Sequence, residues 1–286
     1  MKYRKCWCGS GMHYDECHKQ FDKKLKTIQY NGHAIPKKKM IKNKYQIEGI
    51  KEAAKINNGL LDYIESHICV GMSTEEIDVL TNEYLLKHHA TSADLGYQGY
   101  PKSICTSIND VVCHGIPNEQ DILKDGDIIN VDATTCYNGY YADASRMFLI
   151  GEVSEEARRL VTVTKECLQK AIESIVPYKS CVGDIGKVIE SHAHLNGYSV
   201  VEEFCGHGVG LSMHEDPYVF HYDANIKTVT LVPGMVITIE PMINQGDKEI
   251  CLGEDEWTVF TQDGLLSAQW EHTILISETG VEVLSL

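Results

Sequence analysis

The chain has 286 residues, 43% of them apolar and 23% charged, and a formal net charge of −15. This is ordinary globular composition, long enough for one large domain or two small ones. No stretch approaches the roughly 18 apolar residues of a membrane span, and the basic Met1 to Lys5 run leads into Cys6-Trp7-Cys8-Gly9 instead of an apolar signal core, so a soluble, unprocessed cytoplasmic chain is expected. The 11 cysteines, three within the first 17 residues and the rest scattered singly, argue for reduced thiols and against a disulfide framework.

Charge is unevenly spread: residues 1–45 carry 12 Lys and Arg against 3 Asp and Glu, and the remainder 14 against 38. Residues 1–20 form a compact Cys/His segment. In it Cys6-x-Cys8 is followed after eight residues by Cys17-His18, enough ligands for one tetrahedral structural zinc at Cys6, Cys8, Cys17 and His18. An exposed thiol cluster would oxidise readily, which disfavours the plainer reading. Residues 21–44 are Lys-rich, contain Gly32 and Pro36, and read as a basic tether whose Lys37-Lys38-Lys39 run could meet a phosphate backbone or could simply be solvated. The main domain, 45–286, follows.

Ile47, Ile50, Ala54, Leu61 and Ile64 recur at helical spacing, and Ser73-Thr74-Glu75-Glu76 opens a second helix through Leu86 with a capping box. A second helix pair is expected from Ser154 to Val176 and from after Gly183-Asp184 to Leu195. Each pair precedes β-branched stretches: Asp127 to Thr135 and Tyr140 to Leu149 in the first half, Val236 to Ile243 and Glu271 to Ile276 in the second. This order of elements predicts an α+β fold of two similar halves facing one another.

Asp132 lies inside an apolar strand, where an unpaired carboxylate is costly. If Asn138-Gly139 makes a two-residue hairpin turn, Tyr137 faces Tyr140 and Asp143 faces Thr134. Asp132 and Asp143 are then diagonal neighbours on one face, about 7–8 Å apart between the two backbones and able to share an ion. The commoner fate of an isolated Asp is a turn or the surface, but two on one face of an apolar hairpin favour metal. Gly206-His207-Gly208, Thr238-Ile239-Glu240-Pro241 and Gln269-Trp270-Glu271-His272 complete one His with four carboxylates, a hard donor set for two divalent ions of Mn, Fe or Co type. His114 and His214 lie beside turn residues, and taken singly either is more often structural than catalytic.

Six motifs in order, Asn109 to Pro117, Asn130-Val131-Asp132, Asp143-Ala144-Ser145, Cys205-Gly206-His207-Gly208, Thr238 to Met242 and Ala268 to Thr273, resemble the type I methionine aminopeptidases from about Tyr45 onward. The resemblance implies the pita-bread fold and removal of the initiator methionine from nascent polypeptides. It implies Asp132, Asp143, His207, Glu240 and Glu271 as ligands of two metal ions, with Asp143 and Glu271 bridging. It further implies Glu240 carrying a proton from an attacking water towards the leaving amide nitrogen, His214 stabilising the oxyanion and His114 meeting the scissile amide. Tyr97, Tyr100, Cys105 and Trp257 match the walls of the methionine pocket. Asp94, where a small thiol is familiar, and Met213, where an aromatic is, depart from the pattern and imply altered pocket depth or polarity. The N-terminal Cys/His spacing resembles the SEC-C motif, a zinc knuckle appended to several bacterial proteins, and with the Lys-rich stretch suggests ribosome or partner docking. Two rival readings are an Xaa-Pro peptidase sharing the five ligands and a non-catalytic ribosome-associated protein on the same scaffold. A monomer is expected.

Overall fold

The computed structural model describes residues 4–286. The α-helices among the described residues are α1 (Tyr14–Cys17), α2 (Lys19–Tyr30), α3 (Lys44–Glu65), α4 (Thr74–Lys87), α5 (Glu155–Ser174) and α6 (Val182–Leu195). Asn43 and Ser73 cap α3 and α4 and close capping boxes with Gln46 and Glu76, which satisfies first-turn donors that have no partner inside the helix. Helix α5 is capped by Ser154 and stops at Ser174, short of Val176, because the residue before Pro177 is pushed out of helical geometry. Helix α6 begins at Val182, so Gly183 and Asp184 lie inside its first turn; the Asp184 carboxylate accepts from the Cys181 N–H at 2.7 Å.

Among the described residues the central sheet has nine strands. Its path runs Thr91–Ser92, Ile128–Tyr137, Tyr140–Leu149, Glu271–Ile276, Val236–Ile239, Gly206–Gly208, Glu215–Val219, with Cys105–Ile108 beside Ile128–Tyr137 and Val281–Val283 beside Glu271–Ile276. Its pairings are antiparallel. The hairpin has the register expected of Asn138-Gly139, with Tyr137 opposite Tyr140 and Thr134 opposite Asp143. Both turn residues have positive φ, +50° and +77°, as a two-residue turn of this kind requires.

Strand alternation then sorts the side chains. Ile129, Val131 and Ala133, with Ala144 and Phe148 from the next strand, pack on Leu60, Leu61 and Ile64 of α3 and Ile77 and Leu85 of α4. Asn130, Asp132 and Thr134 therefore face the other way, into the space between the halves. In the second half Leu160, Cys167 and Leu168 of α5 and Ile185 and Ile189 of α6 bury against Ile237, Ile239, Ile274 and Ile276. Two α+β halves thus enclose a central space, which is the pita-bread arrangement.

Besides these helix bounds, the structure differs from the sequence expectation in two places. The stretch Val236 to Ile243 is not one strand: Val236–Ile239 belongs to the large sheet, and Met242–Asn244 joins a second sheet with Ser267–Gln269 and Ser199–Val200. Pro241 has no N–H for the ladder and marks the break. The segment 21–44 is not an irregular tether either. Helix α2 occupies much of it, Leu25 is buried, and Phe21 and Ile28 pack against the α5/α6 core. These apolar residues at spacings of four and three form a helical stripe among the lysines. Met40, Ile41 and Lys42 are also buried. No helix of the described residues is long and apolar enough to cross a membrane.

Candidate active site

Asp132 and Asp143 come from the hairpin strands, and Glu271 opens the strand beside them. Asp132 and Glu271 each pair with Ser145, which sets them in one row across the sheet. His207 is the centre of Gly206–Gly208, and Glu240 follows Val236–Ile239 at the point where the chain leaves the sheet. Glu271 likewise sits where the chain passes from Ser267–Gln269 into the large sheet, so both glutamates occupy strand-switching points. Glycines flank His207 for lack of space: a Cβ on Gly206 would lie 2.5 Å from Thr238 O, and one on Gly208 2.3 Å from Asp216 O.

One ligand atom from each of Asp143, His207 and Glu271 lies within 4.8 Å of the others. His207 Nε2 is 3.6 Å from Glu240 Oε1 and 3.9 Å from Asp143 Oδ2, and Asp132 lines the same cavity. His207 Nδ1 lies 3.0 Å from Gly208 O, a contact that assigns its proton there and leaves Nε2 to face the carboxylates. Thr238 Oγ1 donates to Glu240 Oε1 at 2.6 Å and accepts from the His207 N–H at 3.0 Å. The Thr273 hydroxyl donates to Asp143 O at 2.8 Å, and Gln269 Nε2 donates to Asp132 Oδ2 at 3.4 Å.

Burial, reinforced by mutual repulsion, pushes the Asp132 and Glu271 carboxyls well above the usual range. Burial likewise raises Asp143 to about 6 and Glu240 to about 8. It lowers His114, His207 and His214 to about 4, so these imidazoles are neutral near pH 7. Asp143 Oδ1 and Glu271 Oε1 are buried with no hydrogen-bond partner. Acceptor oxygens gathered without donors, beside a neutral imidazole nitrogen, fit divalent cations, which supply the missing positive charge.

A cavity of about 390 Å³ opens onto this cluster and is lined by all the residues singled out above: Tyr97, Tyr100, Cys105, His114, His214 and Trp257 besides the five candidate ligands. His214 Nδ1 is 2.9 Å from the Tyr97 hydroxyl, and its ring lies 4.2 Å from that of His207. His114 holds a left-handed φ of +56° and meets Phe204 edge-on at 5.2 Å. Such a conformation is strained for a residue with a Cβ. Tyr100 meets Trp257 edge-on at 5.1 Å, and its hydroxyl donates to the carbonyls of Ile104 and Gly115. Asp94 is 6% exposed, and the Thr134 N–H and the hydroxyls of Thr134 and Ser92 all donate to it. Burial, followed by the Asp143 charge, raises its carboxyl well above the usual range.

Sequence reasoning missed several neighbours. Phe204, Met242 and Tyr218 also line the cavity, and Thr238 braces two candidate ligands at once. His221, buried and pushed down to about 3 by burial, accepts from the Glu240 N–H at 3.2 Å. Only Thr238 carried a local signal, since it sits two residues before Glu240 and so on the same face of the strand.

Outside the cavity, Cys6, Cys8, Cys17 and His18 also gather within 4.8 Å. Cys17 Sγ lies 3.0 Å from His18 Nδ1, Cys6 Sγ 3.2 Å from the same nitrogen, and Cys8 Sγ 3.7 Å from Cys17 Sγ. Three thiols and an imidazole in such a cluster fit a tetrahedral ion.

A sequence profile of metallopeptidase family M24 matches residues 48–278. The chain belongs to the M24 metallopeptidases. It is 46% identical over 247 residues to a methionine aminopeptidase of Escherichia coli strain K12, covering 86% of this chain and 93% of that protein. It is 48% identical over 241 residues to methionine aminopeptidase A of Synechocystis, covering 84% and 95%. Among solved structures, methionine aminopeptidase from Rickettsia prowazekii superposes with a TM-score of 0.83 at 42% identity, over 86% of this chain and 99% of that one. Membership in this family implies divalent metal ions at the catalytic centre, in keeping with the donor set found here.

Proposed function

We propose that this enzyme is a methionine aminopeptidase that removes the initiator methionine from nascent polypeptides in the cytoplasm. What supports the reading is the grouping of Asp143, His207 and Glu271, with Asp132 and Glu240 lining the same aromatic-walled cavity, in a chain so similar over most of its length to proteins of that name. Asp132, Asp143, His207, Glu240 and Glu271 would hold two divalent ions of Mn, Fe or Co type. When bound, such ions polarise a carbonyl and make water acidic enough to attack at neutral pH. Glu240, oriented by the Thr238 hydroxyl that donates to it, takes the proton of the attacking water and delivers it to the leaving amide nitrogen. Neutral His214 faces the developing oxyanion and His114 the scissile amide. Tyr97, Tyr100, Cys105 and Trp257 close around the methionine side chain, whose thioether suits aromatic edges.

Release of free methionine from Met-Gly-Met-Met by metal-stripped protein, titrated with Mn, Fe(II) or Co, tests this reading beside Asp143→Ala. Activity should appear with metal and vanish in the variant. Cleavage of Xaa-Pro dipeptides in its place would refute methionine specificity, and no cleavage of either substrate would refute catalysis.

The Cys6, Cys8, Cys17 and His18 cluster we assign to one structural zinc, and the N-terminal segment to docking on the ribosome. Lys19, Lys23 and Lys26 are exposed along one side of α2, spaced by four and three residues, which supports contact with a phosphate backbone. Reversing all three to Glu should weaken co-sedimentation with ribosomes and flatten the salt dependence of what remains. Equal sedimentation of both forms would end that assignment.

A further inference from the structure

The chemistry above leaves a buried cation unused. The Lys42 side chain is 0% exposed, and its Nζ lies 2.7 Å from Glu215 Oε2. An enclosed ammonium is costly unless paired, and the pair must be well bonded to hold. Glu215 commits its other oxygen to the turn before it: Oε1 accepts from the Leu211 N–H at 2.7 Å and the Ser212 N–H at 3.2 Å. One carboxylate therefore closes the loop 211–215, which carries His214, and a lysine from the N-terminal segment fixes that carboxylate.

The lysine is itself anchored on both sides. Its own N–H donates to Gly234 O at 2.8 Å, and the next residue, Asn43, caps α3 while donating from Nδ2 to Cys8 O at 2.7 Å. Gly210, at φ +127°, lies over this point: a Cβ there would meet Ile50 Cδ1 at 2.3 Å and Lys42 Cε at 3.7 Å. The aliphatic stem of Lys42 thus packs under the start of the His214 loop while its charge locks the end. Nearby, exposed Lys39 pairs with Asp216, the residue after Glu215, at 2.6 Å.

We infer that Lys42 is a positioning residue for hydrolysis: acting through Glu215, it sets the conformation of the 211–215 loop and thereby aims His214. The inference rests on the role given to His214 above. Lys42→Met keeps the stem volume but leaves Glu215, whose side chain is only 16% exposed, without its bonded cation. The carboxylate then relieves its desolvation by turning to water, which frees the Leu211 and Ser212 amides and the loop between them.

The test is a kinetic cycle on the metal-loaded, full-length protein with Met-Gly-Met-Met: Lys42→Met, His214→Ala and both together, with bound metal counted in each. Lys42→Met should lower kcat about tenfold or more while KM stays within about threefold, the signature of an interaction realised in the transition state. In the His214→Ala background Lys42→Met should lower kcat by less than about twofold, because the group it aims is gone. A fall of the same size in both backgrounds, or a Lys42→Met enzyme with unchanged kcat, overturns the inference while leaving the His214 role standing. A His214→Ala enzyme with unchanged kcat overturns both. If Lys42→Met does not fold, Glu215→Gln enters the same cycle with the same expected and refuting outcomes.

Discussion

Stripping the divalent ions should make stability fall as pH rises, the reverse of what ordinary ion-paired carboxylates do. The reason lies in the crowded acids: Glu240 is raised from 4.5 to about 8 and Asp143 from 3.8 to about 6, while Asp132 and Glu271 are also raised. A carboxyl with a folded pKa above its unfolded value binds more protons in the native state. Its contribution is fully present below the unfolded value and is lost as pH climbs through the folded one. For Glu240 that window runs from pH 4.5 to about 8, and a shift of this size corresponds to about 5 kcal/mol. In a protein of this length each kcal/mol moves Tm by roughly 2–4 °C. Thermal unfolding of EDTA-treated protein between pH 5 and pH 8 should therefore show Tm dropping by about 10 °C or more, and excess Mn or Co should largely abolish the drop. Because the ions displace protons from the cluster, calorimetric titration at pH 7 in buffers of different ionisation enthalpy should report release of about one proton or more. A metal-free Tm that is flat or rises over this range, or a binding heat independent of buffer, would refute the description of the site as a set of protonated, cation-starved carboxyls.

Thr238→Val removes the hydroxyl that donates to Glu240 and accepts from the His207 N–H. It should weaken metal affinity or kcat about 10- to 100-fold in metal-titrated methionine release, as loss of an outer-shell partner does. Cys17→Ser should lower total bound metal by one equivalent, from three to two per chain by elemental analysis, if the N-terminal cluster holds its own ion. Leu168→Ala, in the core shared by α5 and the second-half strands, should cost about 2–5 kcal/mol in denaturant unfolding without changing bound metal.

Much of the site was legible because its local rules are strict. Asn138-Gly139 admits one tight hairpin register, and that register alone puts Asp132 and Asp143 on the face turned away from Ile129, Val131 and Ala133. The capping boxes at Ser73 and the cap at Ser154 marked helix starts for the same reason. The neighbours that brace the ligands were less readable, because they depend on pairing between distant strands. Gln269 reaches Asp132 across 137 residues of sequence, and Thr273 reaches the Asp143 backbone across 130. His221 meets the Glu240 N–H only because the chain leaves the large sheet at Pro241. The Asp94 carboxyl found its partners in Ser92 and Thr134, residues too ordinary to stand out.

The N-terminal segment was misread because lysine content hid its apolar stripe. Phe21, Leu25 and Ile28 need only one side of α2, which leaves the other free for Lys19, Lys23 and Lys26. Phe21 reaches Tyr178 at 6.4 Å between rings, and Trp7 donates from Nε1 to Asp22 while Lys38 lies over its ring. The Cys/His cluster is therefore joined to the catalytic body by packing at α2, by Asn43 at Cys8, and by Lys42 at Glu215. A flexible tether would let a docked partner move independently of the cavity. These contacts tie it to the same body that carries the His214 loop, so a partner gripping the lysines of α2 would be held in one orientation relative to the site of hydrolysis.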